Sequence, residues 1–276
     1  MYRIVASDMD ETFLDGEHKI PAVNVEAIRR MREAGVLFVP SSGRPYASIM
    51  SNFADIDRSL MEGSYVISFN GGFINRYGDP EPLTTCAIDA AVAQDVYARG
   101  RAEGFCMHVN AADGRIFTCN EPESERSYLE SVSGVIHFDA ADEPDLSFLG
   151  DEGPVKVIYM SEDFEALQEL GASLAPEMAA RGTEVTYSSG RYLEFMPSGV
   201  NKGTGLMRLA EMLGVDPSET VGVGDSANDL AMIQMAGLGV GVANVTDDVR
   251  PHCDVVLETT GMDGAFGELV DRFIVQ

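Results

Sequence analysis

What most constrains this chain is where its strand–helix alternation stops and where it starts again. Residues 2–7 (YRIVAS) read as a short apolar strand feeding a polar turn. Pro21 suits the first turn of a helix, Val25, Ile28 and Met31 give that helix an apolar face, and Gly35 ends it. The strand Val36-Leu37-Phe38-Val39 then runs into Ser41-Ser42-Gly43-Arg44, Pro45 opens another helix, and a third strand, Tyr65 to Phe69, stops at Asn70-Gly71-Gly72. Strands joined through helices predict a parallel sheet with helices packed on its faces. After Thr85 the pattern changes. A helical stretch (Ile88, Ala91, Val92, Val96) precedes a hairpin at Asp113-Gly114, a helix-like segment, a strand from Val155 to Met160 and a helix from about Phe164 to Ala180. A second hairpin, Glu184 to Met196, turns at Ser189-Gly190. From Asn201 the alternation returns, with strands at Thr220 to Val223 and Gly239 to Val242. The expectation is an α/β fold: a parallel-sheet, Rossmann-like core from residues 1–83 and 193–276, interrupted by an α+β domain at 84–192.

Composition narrows the partners. The chain has 276 residues and a formal charge of −26, from 19 basic against 45 acidic residues. Such a field repels nucleic acid and anionic membranes. No apolar run approaches the length of a membrane span, and the N-terminal segment reaches acidic residues too soon for a signal peptide. Cys86, Cys106, Cys119 and Cys253 have no CxxC spacing, which argues against zinc and for a reduced, cytoplasmic setting. His18, His108, His137 and His252 show no metal-ligand spacing either. Only three lysines occur, Lys19, Lys156 and Lys202, so an anionic ligand would make the position of each informative.

Ligands of open parallel sheets bind beyond the carboxyl ends of the strands, and three motifs fall there. Asp8-Met9-Asp10-Glu11-Thr12 follows the first strand. Asp8 and Asp10, two apart, can share one side of the loop, where one carboxylate could attack phosphorus and the other shuttle a proton; an acidic turn is the plainer alternative. Ser42-Gly43-Arg44 offers a hydroxyl and a glycine amide as an anion-binding corner, or is ordinary loop punctuation. Gly224-Asp225-Ser226-Ala227-Asn228-Asp229 places Asp225 at a strand end, where a carboxylate could hold Mg²⁺, although the run also reads as helix caps. A fourth motif opens a helix. Lys202, in Asn201-Lys202-Gly203-Thr204-Gly205, lies in the first turn of a helix with Leu206, Leu209, Ala210 and Leu213 on one face. A cation there opposes the helix dipole unless an anion lies beside it.

In this order and on this skeleton, the motifs resemble the haloacid dehalogenase superfamily, specifically the Cof-like phosphatases of subfamily IIB. The match is closest over residues 192–245, through Tyr192-Leu193-Glu194-Phe195-Met196-Pro197, Val200-Asn201-Lys202-Gly203, Gly224 to Met232 and Ala243-Asn244, and Asn70-Gly71-Gly72 fits the family's Asn-Gly turn. The resemblance implies a Mg²⁺-dependent phosphatase acting on a small phosphorylated metabolite such as a sugar phosphate, with residues 84–192 as the specificity-setting cap. Asp8 would be the nucleophile and a metal ligand. Asp10 would be the general acid/base, with its backbone carbonyl on the metal. Asp225 would complete the metal site and Asp229 would support it from outside. Ser42, Gly43, Lys202 and Asn228 would hold the phosphoryl group. A phosphomutase or phosphotransferase on the same aspartyl-phosphate chemistry is the alternative, and a non-catalytic phospho-ligand binder a third. Arg115, Lys156 and Arg191 are cap cations that could meet a second anionic group or form plain salt bridges. One position departs from the pattern: Glu11 stands where Cof-like members usually have glycine, which would permit an unusual backbone turn after the nucleophile.

Overall fold

The computed structural model describes residues 1–130, 132, 134–150 and 153–275, and its contacts divide the chain into two units, Met1–Thr85 with Val200–Gln276, and Cys86–Gly199. In chain order the first unit begins with β1 (Ile4–Ser7), α1 (Ala22–Glu33), β2 (Leu37–Pro40), α2 (Tyr46–Ser51), β3 (Tyr65–Ser68), β4 (Phe73–Arg76) and β5 (Pro82–Thr85). The second unit holds α3 (Ala90–Glu103), β6 (Cys106–Ala111), β7 (Ile116–Cys119), α4 (Glu123–Leu129), β8 (Val135–His137), β9 (Pro154–Met160), α5 (Phe164–Ala180), β10 (Thr183–Ser188) and β11 (Tyr192–Pro197). The first unit resumes with α6 (Lys202–Leu213), β12 (Thr220–Gly224), α7 (Leu230–Met235), β13 (Leu238–Gly241), β14 (Val255–Val256) and α8 (Phe266–Leu269).

The first unit is built on a five-stranded, wholly parallel sheet of order β14-β13-β12-β1-β2. Alternation along β1 decides its two faces. Val5 joins Phe38, Val221 and Val223 under α1 and α8, with Ala27, Ile28, Met31, Phe266 and Leu269. Ile4 and Ala6 point the other way, against Leu206, Leu209 and Ala210 of α6 and Met232 of α7. The apolar face read along α6 is therefore the face it buries.

The third strand keeps the expected parallel sense beside β2 but joins a further, antiparallel ladder. β3 meets the segment after β2 only through one parallel bridge, Ser41 to Ile67, and its ladder is antiparallel with β4, which pairs in turn with β5. The reason is local: Phe69, Asn70 and Gly71 all take left-handed torsions and turn the chain back on itself, and so short a connection can only join antiparallel strands.

The second unit carries a six-stranded sheet of order β10-β11-β9-β6-β7-β8. α3 and α5 contribute Val92, Val96, Tyr97, Leu167 and Leu174 to a core that also takes Met107, Val109, Val157, Tyr159, Leu193 and Phe195 from one face of the sheet. Both expected hairpins are present, as β6–β7 and β10–β11. The boundary at 192/193 is displaced, however. β11 pairs with β10 from Tyr192 to Pro197 and with β9 from Tyr192 to Phe195, so its whole length belongs to this sheet and the unit runs on to Gly199. Among the described residues no helix is long and apolar enough to cross a membrane.

His108 of β6 lies on the sheet face away from that core, 3.3 Å from Glu125, whose carboxylate also accepts the Tyr192 hydroxyl at 2.7 Å. Burial pushes its imidazole down to about 4, with the charge of Glu121 opposing. A lowered folded value means that the unfolded chain takes up a proton before the folded one does. The contribution is complete above the unfolded value of about 6.5 and is lost as pH falls through the window to about 4. Replacing His108 by Gln should flatten the stability profile across that window by up to about 3 kcal/mol. Urea unfolding at intervals of pH measures it, and identical slopes in parent and variant refute it.

Candidate active site

Register brings the strand ends together. Ser7, the last residue of β1, lies opposite Val223 of β12 and Pro40 of β2. Backbone bonding continues one step further: the Asp8 N–H donates to Val223 O at 3.0 Å, and the Ser41 N–H to Ser7 O at 2.7 Å. Asp8, Ser42 and Asp225 thus leave the same edge of one sheet.

Helix α6 supplies the cation. Asn201 caps it, accepting the Thr204 N–H at 2.9 Å while its own N–H reaches the Thr204 hydroxyl at 3.0 Å. The glycines after it allow close packing. A Cβ on Gly203 would lie 2.4 Å from Ala231 O, and one on Gly205 would lie 2.7 Å from Gly71 Cα. The first turn is thereby drawn inward and Lys202 is wholly buried, with Nζ 2.5 Å from Asp8 Oδ1 and 2.6 Å from Asp229 Oδ1. A solvated surface lysine is excluded, and the opposed helix dipole is answered by two carboxylates.

Asp229 folds back under its own loop, its Oδ2 accepting the N–H groups of Asp225 (3.0 Å) and Ser226 (3.2 Å). Gly224 makes this possible, because a Cβ there would come within 2.3 Å of Asp229 Cβ. Asp225 is fixed from the other side by the Thr12 hydroxyl at 2.7 Å. Ligand atoms of Asp8, Asp225 and Asp229 lie within 4.8 Å of one another, the one such group of carboxylate, imidazole or thiol side chains among the described residues.

The other residues singled out have partners of their own. Asp10 keeps its carboxylate outside it, 41% exposed, bound to His18 Nδ1 (3.0 Å) and near Arg44 Nε (3.3 Å). Ser42 is buried, its hydroxyl accepting the Arg44 N–H at 3.2 Å. Asn228 is exposed and accepts the Ser226 hydroxyl at 2.9 Å. In the second unit Lys156 pairs with Glu194 at 2.9 Å, Arg191 with Glu125 at 3.5 Å and Arg115 with Asp113. Each of those three cations already has a carboxylate.

Sequence reasoning assigned no part to Thr12, His18 or the Asn244 side chain. The spacing of Thr12 in the first motif was its available signal; nothing in the sequence joins His18 to Asp10. Asn244 donates to Glu11 O and accepts from the Gly261 N–H, both at 2.9 Å. It braces the turn after Asp10, where Glu11 takes a left-handed φ of 59°. The unusual turn that glycine would permit is present here with a glutamate bearing its strain.

Burial and charge oppose each other throughout the cluster. Burial raises the Asp8 carboxyl above its ordinary value while the Lys202 ammonium opposes. Burial likewise raises Asp225, against the Thr12 hydrogen bond, and Asp229, against Lys202. Burial would lower Lys202, but the Asp229 and Asp8 carboxylates outweigh it and hold the ammonium above its usual range. One cation therefore faces three carboxylates, a surplus of two negative charges when all are ionised. Oxygen donors with that deficit suit a hard divalent cation.

Residues 5–269 match the model of the haloacid dehalogenase-like hydrolase family, so the chain belongs to that family. It is 29% identical over 251 residues to the putative phosphatase YxeH of Bacillus subtilis, covering 90% of each chain. It is 28% identical over 252 residues to an HMP-PP phosphatase of Yersinia pseudotuberculosis, covering 91% of this chain and 87% of that one. Its fold is that of the subclass IIB sugar phosphatase BT4131, with a TM-score of 0.78 over 98% of both chains at 18% identity. The chain is an enzyme of this class, a phosphoric monoester hydrolase.

Lys202→Met keeps the side-chain bulk and leaves two buried carboxylates uncompensated, which should cost about 3–5 kcal/mol near neutral pH. Acids whose folded pKa is raised lose stability as pH rises through that value. The deficit should therefore shrink as pH is lowered from about 8 to about 5. Urea unfolding at both ends of the range tests this; a deficit independent of pH would count against the charge explanation.

Proposed function

We propose that this protein is a cytoplasmic, Mg²⁺-dependent phosphatase that hydrolyses a small phosphorylated metabolite through an aspartyl-phosphate on Asp8. The observation that carries the reading is the wholly buried Lys202 ammonium held between Asp8 and Asp229, with Asp225 beside them. A surface decoration would not require two buried acids around the chain's rarest charge. The relatives' names, which include an HMP-PP phosphatase and a sugar phosphatase, support a small phosphorylated substrate.

On this reading a carboxylate oxygen of Asp8 forms the bond to phosphorus as the bond to the leaving oxygen breaks. Asp10 gives that oxygen its proton. Water then attacks the phosphorus, Asp10 takes the water's proton, and the bond to Asp8 breaks to release inorganic phosphate. Asp10 suits the shuttle because its carboxylate is half-exposed and stands clear of the buried pair. Lys202 holds Asp8 in place and offsets negative charge on the phosphoryl oxygens. Ser42, the Gly43 amide and Asn228 would bind those oxygens. The fit of Mg²⁺ rests on the charge surplus and the hard oxygen donors: Asp8, Asp225 and the Asp10 carbonyl would hold it, with Asp229 behind. When bound it supplies positive charge where acids and phosphate would otherwise repel.

Asp8→Asn should abolish phosphate release and leave the fold intact, because an amide cannot attack phosphorus. Full turnover by a correctly folded variant would end the covalent mechanism. Asp10→Asn should slow turnover by about 10²–10⁴-fold, the usual worth of general acid/base catalysis. Mg²⁺ should also raise the thermal midpoint of the parent more than that of Asp225→Asn, a readout independent of activity; equal shifts would remove Asp225 from the metal site.

A further inference from the structure

Asn70-Gly71-Gly72 entered the sequence reading only as a turn, yet the structure gives it contacts on two sides of the site. Phe69, Asn70 and Gly71 take left-handed φ values of 50°, 51° and 94° in succession. This is an unusual run for a chain that includes an aromatic residue. Three backbone bonds stitch the segment to the one after β2: Ser42 N–H to Ile67 O (3.0 Å), Asn70 N–H to Ser42 O (2.9 Å) and Phe69 N–H to Arg44 O (3.2 Å). On the other side Gly71 lies against α6. A Cβ on Gly71 would fall 2.1 Å from Asn201 O, and Arg208 Nη1 donates to Gly71 O at 3.2 Å.

The Asn70 side chain also packs against the glycine at position 43. Gly43 is absent from the residues with positive φ, so its torsion does not demand glycine. Space, however, is tight. A Cβ there would lie 3.1 Å from Asn70 Oδ1 and 3.2 Å from Nδ2. The carboxamide rests on the bare face of Gly43, and its Oδ1 is buried without a hydrogen-bond partner. A residue needed only for the turn would be served better by glycine, which enters the left-handed region freely and buries no unpaired oxygen. Strain kept in place next to a site is a reason to look for function.

We propose that Asn70 is a positioning residue for phosphate: its carboxamide sets the Gly43 peptide, and its turn ties that peptide to the helix bearing Lys202. The inference rests on the phosphatase reading above, which assigns Ser42 and Gly43 to the phosphoryl oxygens. It adds that one three-residue turn keeps the anion corner and the lysine in register.

The test uses the full-length protein with Mg²⁺, p-nitrophenyl phosphate as substrate and inorganic phosphate as competitive inhibitor. Asn70→Gly preserves the turn and deletes the carboxamide. It should unfold at the parent's temperature or above, yet show about a tenfold rise in KM and in the phosphate inhibition constant, the size of one lost hydrogen-bond-scale interaction, with a smaller change in kcat. Asn70→Ala should add a lowered unfolding temperature, because alanine strains the turn. Gly43→Ala should displace the carboxamide and weaken phosphate similarly, and combining it with Asn70→Gly should add little to the larger single effect. Parent-like KM and phosphate inhibition in Asn70→Gly would overturn the proposal while the phosphatase reading stands. Fully additive effects of the two substitutions would also overturn it. Absence of both Mg²⁺-dependent turnover and phosphate binding in the parent would instead overturn the two readings together.

Discussion

The ammonium of Lys202 is the group on which the arrangement at the sheet's edge depends. Three acids raised by burial could not stand so close without it, and it could not be buried without them. The contact joins residues 194 and 27 positions apart in the chain. It thus binds together the first strand's loop, the opening of α6 and the loop after β12. Its geometry is set by backbone proximity rather than by the lysine itself. Gly203 against Ala231 and Gly205 against Gly71 leave no room for a Cβ, so the helix start is seated at one depth. The sequence Asn-Lys-Gly-Thr-Gly places a cap, a charge and two close-packing positions within five residues.

Strain gathers beside this centre. Glu11 and the turn from Phe69 to Gly71 hold left-handed torsions, and each is braced from outside. Asn244 grips the carbonyl of Glu11 while accepting from Gly261, and a Cβ on Gly261 would meet that same carbonyl at 2.0 Å. Arg208 holds the carbonyl of Gly71. Turns of this kind persist when their surroundings over-determine them.

Much of this was legible from sequence, for identifiable reasons. Apolar periodicity placed α6 with its buried face, and turn residues placed both hairpins of the second unit, because these are local signals. Lysine scarcity combined with an unfavourable helix position marked Lys202, since a penalty left standing calls for a partner. Three things were hidden. β4 and β5 followed a glycine turn too short to advertise a second sheet. The second hairpin was legible to Met196, but the unit boundary was set at 192/193 across its second strand, whereas strand pairing decides to which sheet a strand belongs. The partners of Asp10, His18 and Arg44, depend on loop geometry that no spacing encodes.

The distribution of cations bears on how a strongly acidic chain can receive an anionic substrate. Lys156, Arg191 and Arg115 each lie beside a carboxylate within their own unit, and Lys202 has two. Those four cations are each answered by a carboxylate, so they would add little long-range attraction for a phosphorylated molecule at a net charge of −26. Recognition on the proposed reading must then come at short range, from the metal, the Ser42 hydroxyl and backbone amides. The hydroxyl and the amides gain their strength from fixed direction rather than from net charge. A site of this kind tolerates loss of a distant lysine far better than a small rotation of one peptide. On that reading the turn beneath Gly43 directs one such amide, while Lys202 fixes the carboxylate beside it.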